Sequence, residues 1–235
     1  MNFPQTGDFI DIHVHEGKPS AGKFIIESLM AHEEKWPENI PGIAYTYGIH
    51  PWFLDEENHE SQMERVRQSV EKHDIIAIGE AGFDKLRGPS TELQFRIFEE
   101  QVKISEQCKK PLIIHCVKAW DELLSVKKNL KPAMPWMIHG FRGSVQMASQ
   151  LISKGMYLSV WFEYALRPES ADLLKNMPRD RFFLETDGAD VEIGDIYKKA
   201  SADIDVSVEE LKEQLLLNFI EFFDLSADFN HSGVK

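Results

Sequence analysis

Residues 9–15 read FIDIHVH, an apolar run that ends on two histidines one residue apart. The two-residue period of a strand puts Asp11, His13 and His15 on one face and Ile10, Ile12 and Val14 on the other, so both imidazoles can reach one ion. The same design recurs down the chain. Short hydrophobic stretches end on Glu80 (IIAIGE, 75–80), His115 (PLIIH, 111–115), His139 (PWMIH, 135–139) and Asp187 (FFLETD, 182–187). A fold that collects strand ends into one rim also collects these donors, which is how a hydrolytic metal centre is usually assembled.

Working outward, apolar runs alternate with amphipathic stretches almost to the end, a pattern of parallel α/β folds. Strands are expected at 9–15, 42–50, 74–84, 110–116, 135–141, 155–160 and 182–188. Helices are expected between them. Over 91–107, Leu93, Ile97, Phe98, Val102 and Ser105 mark one face behind the capping residues Ser90 and Thr91. Over 208–223, a capping box of Ser207 and Glu210 opens a stripe of Val208, Leu211, Leu215, Phe219 and Phe222. An open doubly wound sheet would need a glycine-rich phosphate loop after its first strand, and GKPSAGK at 17–23 fits neither known form. The reading is therefore α/β, a TIM-type (β/α)8 barrel forming one domain over 1–235. Its eighth strand is short or distorted, with at most a segment near Ile204 to Val206 to supply it.

At 235 residues and 43% hydrophobic content the chain can build one sizeable core. The start MNFPQTGDFIDIH lacks the basic and apolar blocks of a secretory signal, and no run reaches the roughly 18 apolar residues of a membrane span. A soluble, cytoplasmic protein with no membrane contact is expected. Cys108 and Cys116 match neither a disulfide framework nor a CxxC motif, so reduced thiols are expected. The net charge of −13 opposes tight wrapping of a nucleic-acid backbone. Brief contact with a nucleic acid stays open if bound cations supply positive charge locally.

Each donor has an ordinary reading as well: a satisfied core histidine, or a salt-bridged acid. Together they form four imidazoles and two carboxylates, enough for two adjacent divalent ions with open positions. Glu80 emerges from a strand too apolar to leave it unpaired, and a carboxylate can bridge two ions, one per oxygen. Asp187 can hold an ion and take a proton from water. Asp11 is better placed to orient an imidazole than to bind metal, and Glu185 shares the face of Asp187. A histidine-rich set favours Zn or Mn over Mg.

The segments FIDIHVH, YGIHPW, IGEAGFD, PLIIHC, IHGFRG and LETD, in this order across residues 9–188, resemble the TatD family of metal-dependent deoxyribonucleases, a branch of the amidohydrolase-type barrels. The resemblance implies that His13, His15 and Asp187 bind one ion and His115 and His139 a second, with Glu80 shared and with Glu80 and Asp187 as the catalytic carboxylates. It implies hydrolysis of DNA phosphodiesters from an end, by water activated at the two ions. DNA, single-stranded or frayed, would be a transient substrate, and no obligate protein partner is indicated. His50 matches a position near the substrate and Asp84 one that supports the ligands.

The chain also departs from the family pattern. Val117 and Lys118 replace an Arg-Asp pair, Gly140 to Gly143 read GFRG rather than CFSG, and Gly188, Ala189 and Asp190 replace a proline-bearing turn. Lys118 or Arg142 then stands in for the lost phosphate-contacting arginine. Many family members are described as magnesium-dependent, so a site tolerant of several divalent ions is expected. Two rival readings remain: a hydrolase of a small phosphoester or amide-like substrate, and a non-catalytic binding protein stabilised by metal.

Overall fold

The computed structural model describes residues 3–225, so both ends of the 1–235 domain assignment lie outside the described residues. Eight strands form one sheet: β1 (Phe9–Val14), β2 (Lys23–Met30), β3 (Ile43–Gly48), β4 (Ile75–Asp84), β5 (Leu112–Val117), β6 (Trp136–Phe141), β7 (Met156–Val160) and β8 (Phe182–Leu184). They pair in parallel and in sequence order. Around them run α1 (His59–Ser69), α2 (Thr91–Cys108), α3 (Trp120–Leu130), α4 (Val145–Ser153), α5 (Phe162–Ala165), α6 (Ser170–Asn176), α7 (Ile193–Asp203) and α8 (Val208–Phe222). This is the expected barrel. Both helices singled out in the sequence are present, with Ser90 capping α2 through the Leu93 amide and the Ser207–Glu210 box opening α8.

The strand that sequence reading did not find is β2, KFIIESLM. Residues 204–206, the expected site of a further strand, instead join α7 to α8. The reason is local. No α-helix separates β1 from β2 or β2 from β3, only loops and a 3-10 turn at Ala31–Glu33, so the strand–helix alternation skips this strand. A short final strand does exist, but it is β8, three residues long.

Two apolar layers follow from the strand period. Residues from all eight strands, among them Ile10, Phe24, Ala44, Ile113, Met137, Tyr157 and Phe183, form one cluster that lines the barrel interior. Leu216, Phe219 and Phe222 of α8 complete it. The Asn218 side chain donates to the carbonyls of Arg179 and Phe182, at the start of β8, so α8 closes the amino-terminal mouth. The other face of the strands packs against the surrounding helices.

In β1 the simple alternation fails. Its register against β2 shifts between Asp11 and Val14, so Ile10 and Ile12 join the interior cluster while Val14 joins the outer one. The bulge re-aims a side chain across the strand, as bulges do near functional sites. It is why His13 and His15 face the interior above Ile12.

No helix among the described residues is long and apolar enough to cross a membrane. Cys108 and Cys116 are free thiols, and burial pushes Cys116 up to about 12. If α8 is the barrel's plug, Phe219→Ala should cost about 3–5 kcal/mol. Leu217→Ala, on the same helix at a position 60% exposed, should stay within about 0.5 kcal/mol. Denaturant unfolding of both variants checks this; equal effects would contradict the assignment.

Candidate metal centre

The donors arrive from different strands and meet at the carboxyl rim. Glu80, within β4, is buried, and its Oε1 lies 2.6 Å from His139 Nε2, 2.8 Å from His115 Nδ1 and 3.1 Å from His50 Nε2. Its Oε2 lies 3.3 Å from His13 Nε2 and 3.7 Å from His15 Nε2. Asp187 Oδ1 faces the same two rings at 3.8 and 3.6 Å. Glu80 reaches this position because residue 79 is glycine. Gly79 has φ +143°, and a Cβ there would stand 2.4 Å from the Ile113 carbonyl oxygen.

All six ligands expected from sequence therefore converge, and the structure adds a seventh donor. His50 is buried against Glu80 and His115, and its Nδ1 accepts the Trp52 amide of the turn it opens at 3.1 Å. Three overlapping sets have donor atoms within 4.8 Å of one another: His13 with His15 and Asp187, His13 with Glu80 and His139, and His50 with Glu80 and His115. His139 thus belongs beside His13 as well as beside His115, whose Nδ1 is 3.4 Å from His139 Nε2.

Charge explains why this cluster is more than packing. Burial works against ionisation of both Glu80 and His139. Even so, the surrounding imidazoles, His139 first, hold the Glu80 carboxyl well below its ordinary range. Glu80 with Glu185 holds His139 well above its own. Burial, with His13 as neighbour, lowers His15, and burial lowers His50. His13 Nε2, which faces Glu80 and Asp187, is buried with no hydrogen-bond partner. Ring nitrogens crowded around one carboxylate, one of them unpartnered, suit a divalent cation, and the nitrogen–oxygen donor set matches ions such as Zn or Mn.

Behind the donors stand the orienting groups. Asp84 Oδ2 is 3.2 Å from His115 Nε2 and accepts the Trp52 indole N–H at 2.6 Å. Against the effect of burial, these bonds and the Leu86 amide hold its carboxyl low. Glu185 accepts from the Gly140 amide and the Ser159 hydroxyl and lies 3.7 Å from His139 Nδ1. The sequence reading has Asp11 orienting an imidazole, and the structure corrects this. Its carboxylate accepts from the Thr186 amide at 2.9 Å and the Thr186 hydroxyl at 2.6 Å, and burial pushes it up to about 7. Together with the bond from the Asp187 amide to the His13 carbonyl, this fastens β8 to β1 and seats Asp187. The β1 bulge turns Asp11 away from the face that bears the histidines, which the period alone could not show.

Trp52, Ser159, Thr186, Gln94 and Gln101 were missed. The two glutamines lie on the buried face of α2. Gln101 grips both backbone groups of Ile49, beside His50, and Gln94 grips those of Asp84. Polar residues seven apart within an apolar helical stripe were the available signal.

Lys118 and Arg142 do not touch the donors. They line a cavity of about 550 Å³ beside them, with His115, His139 and Asp187 also in its lining.

An eight-stranded parallel barrel with a histidine–carboxylate cluster on its carboxyl rim invites comparison with known proteins. The TatD related DNase family model matches residues 26–224, and the chain belongs to this family. It is 28% identical over 159 residues to the uncharacterized metal-dependent hydrolase YjjV of Escherichia coli K12, covering 66% of this chain and 61% of YjjV. It is 33% identical over 151 residues to the 3'-5' ssDNA/RNA exonuclease TatD of Cronobacter turicensis, covering 62% of this chain and 57% of TatD. Human 3'-5' RNA nuclease TATDN2 is 34% identical over 149 residues, covering 60% of this chain and 19% of TATDN2. The matches thus span less than two thirds of each relative. The crystal structure of YjjV superposes with a TM-score of 0.77 at 23% identity, covering 94% of this chain and 99% of that one, which shows the shared fold.

Metal analysis of purified protein should find about two divalent ions per chain, with at least one lost in Glu80→Gln. Unchanged content in that variant would remove Glu80 from the set. Because His139 is held above its ordinary 6.5, a metal must displace its proton at neutral pH, so affinity should rise with pH above that value. Calorimetry in buffers of different ionisation enthalpy should register the released proton; binding without proton release would contradict this.

Proposed function

We propose that the protein is a divalent-metal-dependent hydrolase that cleaves phosphodiester bonds in a nucleic-acid strand, from an end, with two ions at the Glu80 cluster. The observation that carries this reading is Glu80 itself, a buried carboxylate with imidazoles at both oxygens and Asp187 beside them, of which His115, His139 and Asp187 reach a cavity that Lys118 and Arg142 also line. His13, His15 and Asp187 would hold one ion and His115 and His139 the other, with Glu80 between and His50 against its inner oxygen. Bound there, divalent ions supply Lewis-acid chemistry: they acidify water and stabilise charge on phosphate oxygens.

The chain's own residues do the rest. Asp187, 27% exposed and nearest the cavity among the carboxylates, is placed to accept a proton from the attacking water. Its φ of +55° turns the backbone just past β8 so that the carboxylate faces His13 and His15. Lys118 and Arg142 supply positive charge for the phosphate. Asp84 fixes the ring of His115, as the partner of a ligating histidine usually does, and Glu185 sets a second buried carboxylate near Nδ1 of His139.

Family membership and the nuclease names of TatD and TATDN2 support a nucleic-acid substrate, and those names place RNA beside DNA as a candidate. The net charge of −13 favours a second reading in which the same centre hydrolyses a small phosphoester. A panel of labelled single-stranded DNA, duplex DNA, RNA and a generic phosphodiester separates the two. Metal-loaded protein should degrade single strands most readily. Asp187→Asn, folded by circular dichroism, should lose about a hundredfold or more of the turnover if Asp187 is both ligand and base. Near-normal activity in that variant, or no turnover of any substrate by the unaltered protein, would overturn the proposal.

A further inference from the structure

The cavity beside the metal centre has aromatic walls. Trp52, Trp120, Phe141 and Trp161 line it above His115 and His139. Two arginines lie on two of these rings: Arg87 Cζ is 3.8 Å from the Trp52 ring centroid, and Arg142 Cζ is 4.2 Å from that of Trp161. The two pairs differ in what else they do. Trp52 donates its indole N–H to Asp84, which in turn contacts His115, so it is tied to the positioning of the donors. Arg142 and Trp161 have no such tie.

Three features suggest that the Arg142–Trp161 pair is built for a ligand. First, the two residues come from different loops that are fastened together: the Trp161 amide donates to the Phe141 carbonyl at 3.1 Å. Second, Phe141 packs so closely over Gly143 that a Cβ there would stand 2.7 Å from its ring, which fixes the loop on both sides of Arg142. Third, Arg142 is exposed yet, among the described residues, has no carboxylate within 4.0 Å. Other cations among the described residues also lack a carboxylate partner, Lys118 in the same cavity among them, so what sets Arg142 apart is its seat on an aromatic ring of the cavity wall. A cation left unneutralised on an aromatic ring beside a hydrolytic centre is suited to an anion that carries a flat ring.

We propose that Arg142, supported on Trp161, stacks on the nucleobase next to the scissile phosphate, giving a layered arrangement of indole, guanidinium and base. This rests on the nucleic-acid reading of the metal centre. A guanidinium has two faces: one lies toward the indole, the other is available to a base, and its N–H edges remain for a phosphate oxygen. Every base has such a face, so the contact tolerates any sequence. It selects instead for a base that is free to leave its neighbours. The substrate class is thus an unpaired strand end of DNA or RNA; base-paired ends and phosphodiesters without bases are disfavoured.

The test uses the full chain loaded with divalent metal and a fluorescein-labelled single-stranded oligonucleotide, read by anisotropy on a hydrolysis-resistant phosphorothioate form and by turnover on its ordinary phosphodiester form. A matched probe carries abasic residues at both ends. The unaltered protein should bind the base-bearing probe about tenfold or more tightly than the abasic one, as expected for a stacked base. Trp161→Leu should bring the base-bearing probe close to the abasic level while weakening the abasic probe far less, and Arg142→Lys, which loses the plane together with N–H edges that can reach a phosphate, should weaken both probes, the base-bearing one more. Equal losses on both probes, or no loss, would overturn the stacking site. Turnover of both probes by the metal-loaded protein separates the two proposals. Cleavage without preference for the base sinks the stacking site and leaves the hydrolase reading. Base preference in binding with no cleavage under any metal does the reverse.

Discussion

A single buried carboxylate governs this protein. Glu80 is 2% exposed inside a barrel whose interior is otherwise mostly apolar, and an anion there is tolerated only if cationic or hydrogen-bonding groups surround it. That requirement reaches far along the chain. His13 and His15 come from β1, His50 from the turn after β3, His115 from β5 and His139 from β6, so the side chains that neutralise Glu80 also hold the rim of the barrel in register. The same requirement creates the chemistry, because groups that crowd one carboxylate with ring nitrogens are groups that can share a cation.

Precision at the rim depends on polar contacts one layer further out. β8 is too short to close the barrel by a long ladder, and its junction with β1 relies on Asp11 gripping Thr186 and on the Asp187 amide bonding the His13 carbonyl. These bonds set the position of Asp187 relative to the histidines of β1. On the opposite side, Gln94 and Gln101 reach from α2 to hold the backbone beside Asp84 and His50. At the other end of the barrel, α8 fills the amino-terminal mouth with phenylalanines, leaving the carboxyl rim as the open face. Active sites of such barrels sit on that rim, where loops can vary without disturbing the core.

The donors were legible in sequence because each one breaks an apolar run at its end, and such breaks need no knowledge of neighbours. The barrel was legible from the alternation of strands and helices. β2 was not, since no helix sets it apart from β1 and β3. The facing of β1 was not, because a bulge moves His13 and His15 across the strand relative to Ile10 and Ile12, and a bulge depends on the partner strand. His50 was read as a substrate contact; its burial against Glu80 depends on how β3 and β4 sit side by side. Lys118 and Arg142 were picked out as replacements for a missing arginine, yet the pairing of Arg142 with Trp161 joins loops after different strands and leaves no local trace.

The histidine–carboxylate cluster gathers donors able to hold divalent ions, and the cavity beside it, lined by Lys118, Arg142 and aromatic rings, carries the substrate question. The proposed function depends on Glu80 lying between two cations. The most direct measurement is an anomalous difference map from crystals grown with manganese or zinc. Two peaks about 3.5–4 Å apart, with the Glu80 carboxylate between them, His13, His15 and Asp187 around one and His115 and His139 around the other, are predicted. Ions bound elsewhere, or a Glu80 carboxylate that touches none, would contradict it.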